Sequence, residues 1–167
     1  MLTLALVIGI LAFLWTWLTV ATAGILYIAV WITFISWAVF FFTGGEKKTF
    51  FVGLVAVVSG SVFGYLCILA TGPVGYATPW LALSVGVAAF IIIMMMSIPI
   101  FKSGPAQFCG FAAYFGALFG DAFGLGWEPE RVLLHTAISL AAGIVVGLVS
   151  VTINGLFSKP EPEGEAE

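Results

Sequence analysis

Charged residues are scarce in this sequence. Only 8% of its 167 residues are Asp, Glu, Lys or Arg, whereas a soluble domain carries about 25%. Such a chain has too little charge to cover a surface that faces water. Because 62% of the residues are hydrophobic and the mean hydropathy is +1.22, we predict an all-α integral membrane protein with the lipid bilayer as its solvent and no soluble domain of any size.

The sequence also lacks basic patches, zinc-ligand spacings and catalytic constellations. The five basic residues are scattered, so nucleic acid is not an expected partner. Cys67 and Cys109 lie inside apolar runs and are expected to be free, buried thiols. With one histidine and no pair of deep carboxylates, the sequence predicts no enzyme, no metal site and no cofactor.

Long apolar runs are what the sequence does have. A bilayer core requires about 20 apolar residues per helix, and the first charge is Glu46. Two crossings therefore fit before Glu46, with a turn near Thr22 and Gly24. We predict six transmembrane helices, at about residues 3–21, 25–43, 49–71, 79–101, 105–120 and 130–157. Pro99 is expected to kink the end of the fourth.

The basic residues predict the orientation of these helices. Lys47 and Lys48, Lys102, and Lys159 follow the second, fourth and sixth helices, which places them on one side, and only Arg131 lies on the other. The positive-inside rule therefore predicts that both termini are cytoplasmic. We expect one transmembrane domain, residues 1–158. Residues 159–167, rich in Glu and Pro, should form a disordered, acidic cytoplasmic tail.

The two halves of the chain, about 3–71 and 79–157, resemble each other. Three sets of residues recur in the same order, at offsets of 77, 74 and 83. The sets are Gly9, Ala12 and Phe13 with Gly86, Ala89 and Phe90; Phe34, Ala38 and Phe41 with Phe108, Ala112 and Phe115; and Gly60, Val62 and Gly64 with Gly143, Val145 and Gly147. Chance is the alternative, because glycine, alanine and phenylalanine are abundant.

A repeat of three helices has a topological consequence. Because three is odd, the second half must enter the membrane from the opposite side, which predicts two inverted three-helix repeats. That architecture is frequent in transporters and channels, whose solute sites lie near the midplane between the repeats. The glycines of Gly60-x-x-x-Gly64 and Gly143-x-x-x-Gly147 are expected to allow close helix packing.

Two polar stripes mark the middle helices of the two halves. Thr33, Ser36 and Trp37 share one face of the second helix, and Gln107, Gly110 and Tyr114 share one face of the fifth. We predict a solute path between the stripes. Its candidate residues are Thr33, Phe34, Ser36, Trp37, Gln107, Phe108 and Tyr114. The alternative is that the stripes only seal helix contacts through interhelical hydrogen bonds.

Two ionisable residues are expected near the outer face. Asp121 ends the fifth predicted helix and His135 lies near the start of the sixth. They form a candidate outer vestibule or proton-sensitive gate. The alternative is that both are interfacial residues hydrated by water.

Several stretches resemble a known family. They are Trp15-Thr16-Trp17, Trp37-Ala38 with Phe40-Phe41 and Gly44-Gly45, Ser59-Gly60, and Ser103-Gly104-Pro105-Ala106-Gln107-Phe108-Cys109-Gly110 with Phe115. The chain resembles the uncharacterised family of small bacterial inner-membrane proteins typified by YcdZ. This resemblance implies a protein of several spans in the bacterial inner membrane, and it implies no particular activity.

Two functions fit these observations. The favoured one is a membrane channel or facilitator for a small neutral or weakly polar solute, because deep charges are absent and the central helices are matched. The alternative is a non-transporting membrane subunit that packs with or regulates another membrane protein, because packing residues dominate. Phenylalanine-rich outer faces further predict a homo-oligomer, either a dimer or a trimer.

Overall fold

The computed structural model describes residues 2–72 and 79–157. In these ranges the chain forms six α-helices and no strand, which confirms the predicted all-α class. The helices are α1 (Leu2–Ala21), α2 (Val30–Phe42), α3 (Phe50–Thr71), α4 (Pro79–Met95), α5 (Gly104–Phe119) and α6 (Pro129–Phe157). Short 3₁₀ turns at Lys47–Thr49 and Pro99–Phe101 precede α3 and α5.

Three of the helical segments are long and apolar enough to cross a bilayer, which makes the chain compatible with a membrane protein. They are Leu2–Ala21, Lys47–Thr71 and Pro129–Phe157. The helices α2 and α4 are apolar but shorter. The 13 residues of α2 rise about 20 Å, which is less than the thickness of about 30 Å of a hydrocarbon core. Any crossing by α2 therefore needs its flanking turns.

The helices begin and end close to the predicted positions, except at the start of α2 and at the end of α4. The start of α2 is Val30 rather than residue 25, because a turn occupies the residues around Gly24, which has a φ of +80°. Ala29 then caps the helix in an extended conformation, and its N–H donates to the Ser139 hydroxyl of α6 at 3.1 Å. This bond satisfies a donor that the helix start would otherwise leave unpaired.

The predicted kink at Pro99 is wrong. Helix α4 ends at Met95, and Pro99 opens a separate 3₁₀ turn. The reason is local, because proline disfavours the helical conformation at the residue before it. Ile98 accordingly lies in the extended region, at φ −93° and ψ 124°. The chain therefore turns sharply between α4 and α5 instead of bending within one helix.

Four helices form the core, and two lie at its margins. The most extensive contacts join α2 with α6 and α3 with α5, and α3 also packs against α6. Helix α1 lies against α6, and α4 lies against α3. Each marginal helix buries only two residues, Val7 and Thr19 in α1 and Ala88 and Ile92 in α4. The core therefore lies among α2, α3, α5 and α6.

Glycines set the close approach of the two main helix pairs. A Cβ atom built on Gly60 of α3 would overlap the carbonyl oxygen of Gln107 in α5, and one on Gly143 of α6 would overlap the Thr33 carbonyl of α2. One turn further on, a Cβ on Gly64 would lie 2.8 Å from the Tyr114 ring, and one on Gly147 would lie 2.7 Å from the Phe40 ring. Both glycine motifs therefore pack closely, as predicted.

Residues 159–167, predicted as a disordered tail, lie outside the described residues.

Substitution of the contact glycines should destabilise the protein. We expect Gly60→Ala and Gly143→Ala each to cost about 1–3 kcal/mol, because the methyl group would overpack a backbone contact. Gly9→Ala and Gly86→Ala are matched controls in α1 and α4, where a Cβ would meet no atom within 4 Å. These controls should stabilise their exposed helices by about 0.5–1 kcal/mol. Thermal unfolding in detergent, followed by circular dichroism, measures all four. Equal midpoints for the Gly60 and Gly9 variants would contradict the close contact.

Candidate functional site

The polar stripe of α2 is buried against α1 and α6. Thr33, Ser36 and Trp37 have exposed fractions of 1%, 0% and 4%. The Thr33 hydroxyl accepts a hydrogen bond from Trp15 Nε1 of α1 at 2.9 Å and donates to the Val30 carbonyl. Trp37 Nε1 donates to Ser150 Oγ of α6 at 3.3 Å. The side chains of this stripe are therefore packed against neighbouring helices and do not line an open space.

Ser36 completes the stripe without reaching another helix through a hydrogen bond. Its hydroxyl lies within 3.5 Å of two carbonyl oxygens of its own helix, those of Ile32 and Thr33. A Cβ on Gly143 would overlap this hydroxyl, so Ser36 packs directly against the α6 backbone. Its polarity is satisfied locally, which lowers the cost of burying it.

The polar stripe of α5 is buried against α3, the 3₁₀ turn that precedes α5, and the start of α6. Gln107 and Tyr114 are fully buried. Gln107 Nε2 donates to the Phe101 carbonyl at 2.9 Å, and its Oε1 accepts a long hydrogen bond of 3.5 Å from Ser59 of α3. The Tyr114 hydroxyl donates to the Pro129 carbonyl at the start of α6 at 3.3 Å. The buried Gln107 amide thus has partners for both of its polar atoms.

The structure places the two stripes in separate interfaces. The α2 stripe packs against the Gly143 and Gly147 face of α6, and the α5 stripe packs against the Gly60 and Gly64 face of α3. Phe34 and Phe108 are the exceptions, because they point outward with exposed fractions of 38% and 36%. The solute path predicted between the stripes stays a prediction, and in this conformation the two stripes face different helices.

An apolar cleft lies between the other faces of α2 and α5. It has a volume of about 340 Å³ and is lined by Ile35, Ala38, Val39, Phe42, Pro105, Ala106 and Cys109. We call it the α2–α5 cleft. The polar patterns of the sequence lie on the opposite faces of these helices and therefore do not indicate the cleft. The signal in the sequence is Ala38, which lines the cleft and recurs as Ala112 in α5.

The two candidate vestibule residues have different surroundings. Asp121 is exposed, has a φ of +45°, and its carboxylate accepts a hydrogen bond from the Gly126 N–H at 2.9 Å. A short polar side chain of this kind tolerates the left-handed conformation and closes the loop before α6. Asp121 therefore stabilises the α5–α6 loop through its bond to Gly126.

His135 is half-buried between two aromatic rings. The centroid of its ring lies 5.1 Å from that of Tyr27 and 5.5 Å from that of Phe123. Its Nδ1 atom is buried and lacks a hydrogen-bond partner among the described residues. Arg131, one turn earlier, pairs instead with Glu128 at 2.8 Å. His135 thus joins the α1–α2 turn, the α5–α6 loop and α6.

The remaining reactive side chains are dispersed. Cys67 and Cys109 are free, as predicted, although Cys109 is only partly buried. Across residues 2–72 and 79–157, no three His, Cys, Asp or Glu side chains form a group that could hold a metal ion.

Comparison with known proteins places the chain in a family. The sequence profile of DUF1097, described as a protein of unknown function, matches residues 5–155. No curated protein and no solved structure matches the chain. The profile covers all six helices except their outermost residues, and the chain therefore belongs to the uncharacterised family DUF1097.

Proposed function

We propose that the chain crosses the bilayer six times, as two three-helix halves of inverted topology. The helix contacts support this proposal. Exchange of α1 with α4, α2 with α5 and α3 with α6 converts the α2–α6 contact into the α5–α3 contact, and the α1–α6 contact into the α4–α3 contact. The α3–α6 and α2–α5 contacts each map onto themselves. A pseudo-two-fold axis between the halves would produce this pattern.

The glycine contacts follow the same exchange residue by residue. The offset of 74 that relates α2 to α5 takes Thr33 to Gln107 and Phe40 to Tyr114. The offset of 83 that relates α3 to α6 takes Gly60 to Gly143. The contact between Gly60 and Gln107 is thus the counterpart of that between Gly143 and Thr33. Correspondence between individual contacts supports a true internal repeat more strongly than a chance resemblance of the two halves.

The marginal helices also match in exposure. Leu6 of α1 and Leu83 of α4, at the offset of 77, are 57% and 56% exposed. Phe13 and Phe90 are 69% and 66% exposed. Large apolar side chains with this exposure suit a surface that faces lipid. We therefore place α1 and α4 at the lipid boundary on opposite sides of the core.

The orientation proposed is that of the bacterial inner membrane with both termini cytoplasmic. The lysines at positions 47, 48 and 102 lie in the turns at the ends of α2 and α4, whereas Arg131 lies at the start of α6. An even number of crossings puts the two termini on the same side. The resemblance to bacterial inner-membrane proteins and the positive-inside rule support the cytoplasmic side.

Topology mapping with single cysteines tests the inversion. In a Cys67→Ala, Cys109→Ala background, Lys47→Cys and Lys102→Cys should react with a membrane-impermeant maleimide from the cytoplasmic side. Gly124→Cys, in the α5–α6 loop, should react only from the outside. The measurement is labelling of intact and of opened cells. Labelling of positions 47 and 124 from the same side would contradict six crossings with inverted halves.

Within this architecture we propose a channel or facilitator for a small neutral or weakly polar solute. The matched packing of α2 and α5 carries the proposal, because central helices at a repeat interface are where transporters place their solute sites. The buried polar residues of the described chain are Ser, Thr and Gln only. Ion pumps and exchangers place carboxylates or arginines at such depth, so an uncharged solute fits better.

The second candidate is a non-transporting subunit that packs with another membrane protein. One observation favours it: the polar groups of Thr33, Ser36 and Gln107 all have hydrogen-bond partners within the protein, and none of these residues lines the α2–α5 cleft. Under this alternative the stripes are only interhelical contacts. Side-chain hydrogen bonds between helices are worth roughly 0.6 kcal/mol each in membranes, so they would add stability without a path.

Flux through the purified protein in proteoliposomes separates the two functions. The solutes are water, ammonia, urea, glycerol and weak acids, and the variants are Gln107→Leu and Ser36→Val. We expect wild-type flux of a neutral solute, and a passage along the polar stripes would give at least a several-fold change of that flux in both variants. Thr152→Val is the matched control, since its exposed hydroxyl donates to a carbonyl of its own helix.

The two outcomes of this panel differ clearly. Unchanged flux in folded Gln107 and Ser36 variants would place the passage away from the stripes. Lower stability of these variants, with no wild-type flux of any solute, would favour the packing subunit.

A homo-oligomer is the proposed assembly. Phe34 and Phe108 occupy matched positions and both are exposed, and aromatic residues are enriched where proteins associate. Native mass spectrometry from mild detergent should show a dimer or trimer, and Phe34→Ala with Phe108→Ala should weaken it. Phe13→Ala with Phe90→Ala is the matched control on α1 and α4. A single-subunit mass for the wild type would contradict the assembly.

A further inference from the structure

The α2–α5 cleft lies toward one end of the two helices, where Phe42, at the end of α2, and Pro105, at the start of α5, line it. At the opposite end, the ring of Trp31 lies over Gly116, where a Cβ atom would be 3.0 Å from the ring carbon Cη2. The tryptophan thus fills the space between α2 and α5 at that end.

The two ends correspond under the repeat. The offset of 74 takes Trp31 to Pro105 and Phe42 to Gly116. The closed contact between Trp31 and Gly116 is therefore the counterpart of the open pair Phe42 and Pro105. Ile35 and Cys109 exchange with each other, which puts them halfway between the ends. The space between α2 and α5 is thus filled by the Trp31 ring on one side of the pseudo-two-fold axis. On the other side, next to Phe42 and Pro105, the corresponding space is the cleft.

We propose that the α2–α5 cleft is one half of the solute passage and that Trp31 is the gate which closes the other half. The inference rests on the proposed function and deepens it. In this conformation the passage is open from the Phe42 end to Cys109 and closed beyond it. Displacement of the Trp31 ring from Gly116 joins the two halves. Glycine at position 116 is needed because a larger side chain would prop the gate open.

The cleft lining indicates the class of solute. Its residues are aliphatic and aromatic side chains, a proline and the Cys109 thiol. A solute with several hydrogen-bonding groups would lose its water there without compensation, and that loss is unfavourable in an apolar medium. The passage therefore favours small uncharged molecules with few hydrogen-bonding groups, such as ammonia, over urea or glycerol.

A flux measurement tests the gate. The probe is ammonia, followed by a pH-sensitive dye inside vesicles of saturated, cholesterol-rich lipid, which are themselves poorly permeable. Trp31→Ala should raise the rate several-fold over the wild type, with Trp31→Phe between them. Trp17→Ala is the matched control, because Trp17 is an exposed tryptophan of α1, distant in sequence from the cleft. Its rate should equal that of the wild type.

Thiol reactivity gives a second readout that needs no flux. In a Cys67→Ala, Cys109→Ala background, the substitution Ala113→Cys places a single thiol beyond the gate, because the offset of 74 makes the buried Ala113 the counterpart of Val39 in the cleft lining. Modification of this thiol by N-ethylmaleimide, measured by intact mass, should be several-fold faster when Trp31→Ala is added than when Trp17→Ala is added. Trp31 is 40% exposed, so its removal leaves the core intact, and gel filtration confirms that each variant is folded.

The combinations of results have distinct meanings. Faster labelling together with faster flux supports the gate. Faster labelling with no flux in any protein supports closure of the cleft by Trp31 and overturns the proposed transport function. Unchanged labelling in Trp31→Ala overturns the gate, whatever the flux, and leaves the proposed function to the polar stripes.

Discussion

The close approach of helix backbones at Gly60 and Gly143 determines where the other helices of the protein lie. Each glycine seats a central helix of the opposite half directly on its backbone, α5 on α3 and α2 on α6. Helices at this distance turn one face wholly toward each other. The polar stripes of α2 and α5 are thereby buried, and the opposite faces of the same helices are left to form the cleft. The close packing at these two glycines thus determines which faces of α2 and α5 are buried and which line the cleft.

Burial of the stripes also explains how polar groups are tolerated in such an apolar chain. Many serine and threonine hydroxyls donate to carbonyls three or four residues earlier in their own helix, as Ser61 and Thr71 do. Such local bonds do not depend on a partner helix. Gln107 cannot satisfy its amide in this way and reaches the Phe101 carbonyl outside α5. It therefore ties α5 to the turn after α4.

The sequence predicted the helices well, because apolar runs and their charged or glycine-rich ends are local signals. Residues 105–120 and 130–157 were placed within one residue of α5 and α6 at both ends. The predicted kink at Pro99 is wrong because the proline disfavours a helical conformation at Ile98, so α4 ends at Met95 and does not continue through it. The spacing of polar residues predicted the two stripes, but it did not predict which helix each stripe faces. That choice follows from which glycine meets which backbone, and spacing along one helix carries no such information.

The proposed gate gives a reason for the residues in which the two halves differ. Two identical halves would have the same contact at both ends of the cleft, so the passage would be open at both or closed at both. The two ends differ in this chain. Trp31 lies opposite Gly116 at one end, and Phe42 lies beside Pro105 at the other, so one end can be closed while the other is open.

The contact at the closed end is also weak. Glycine offers only backbone atoms to the ring, and each atom pair contributes about 0.1–0.2 kcal/mol. A contact made only of such pairs is weak. A closure of that strength opens by thermal motion without any other source of energy. This is what a facilitator requires, because its solute moves down its own gradient and the gate has only to exclude larger and charged molecules.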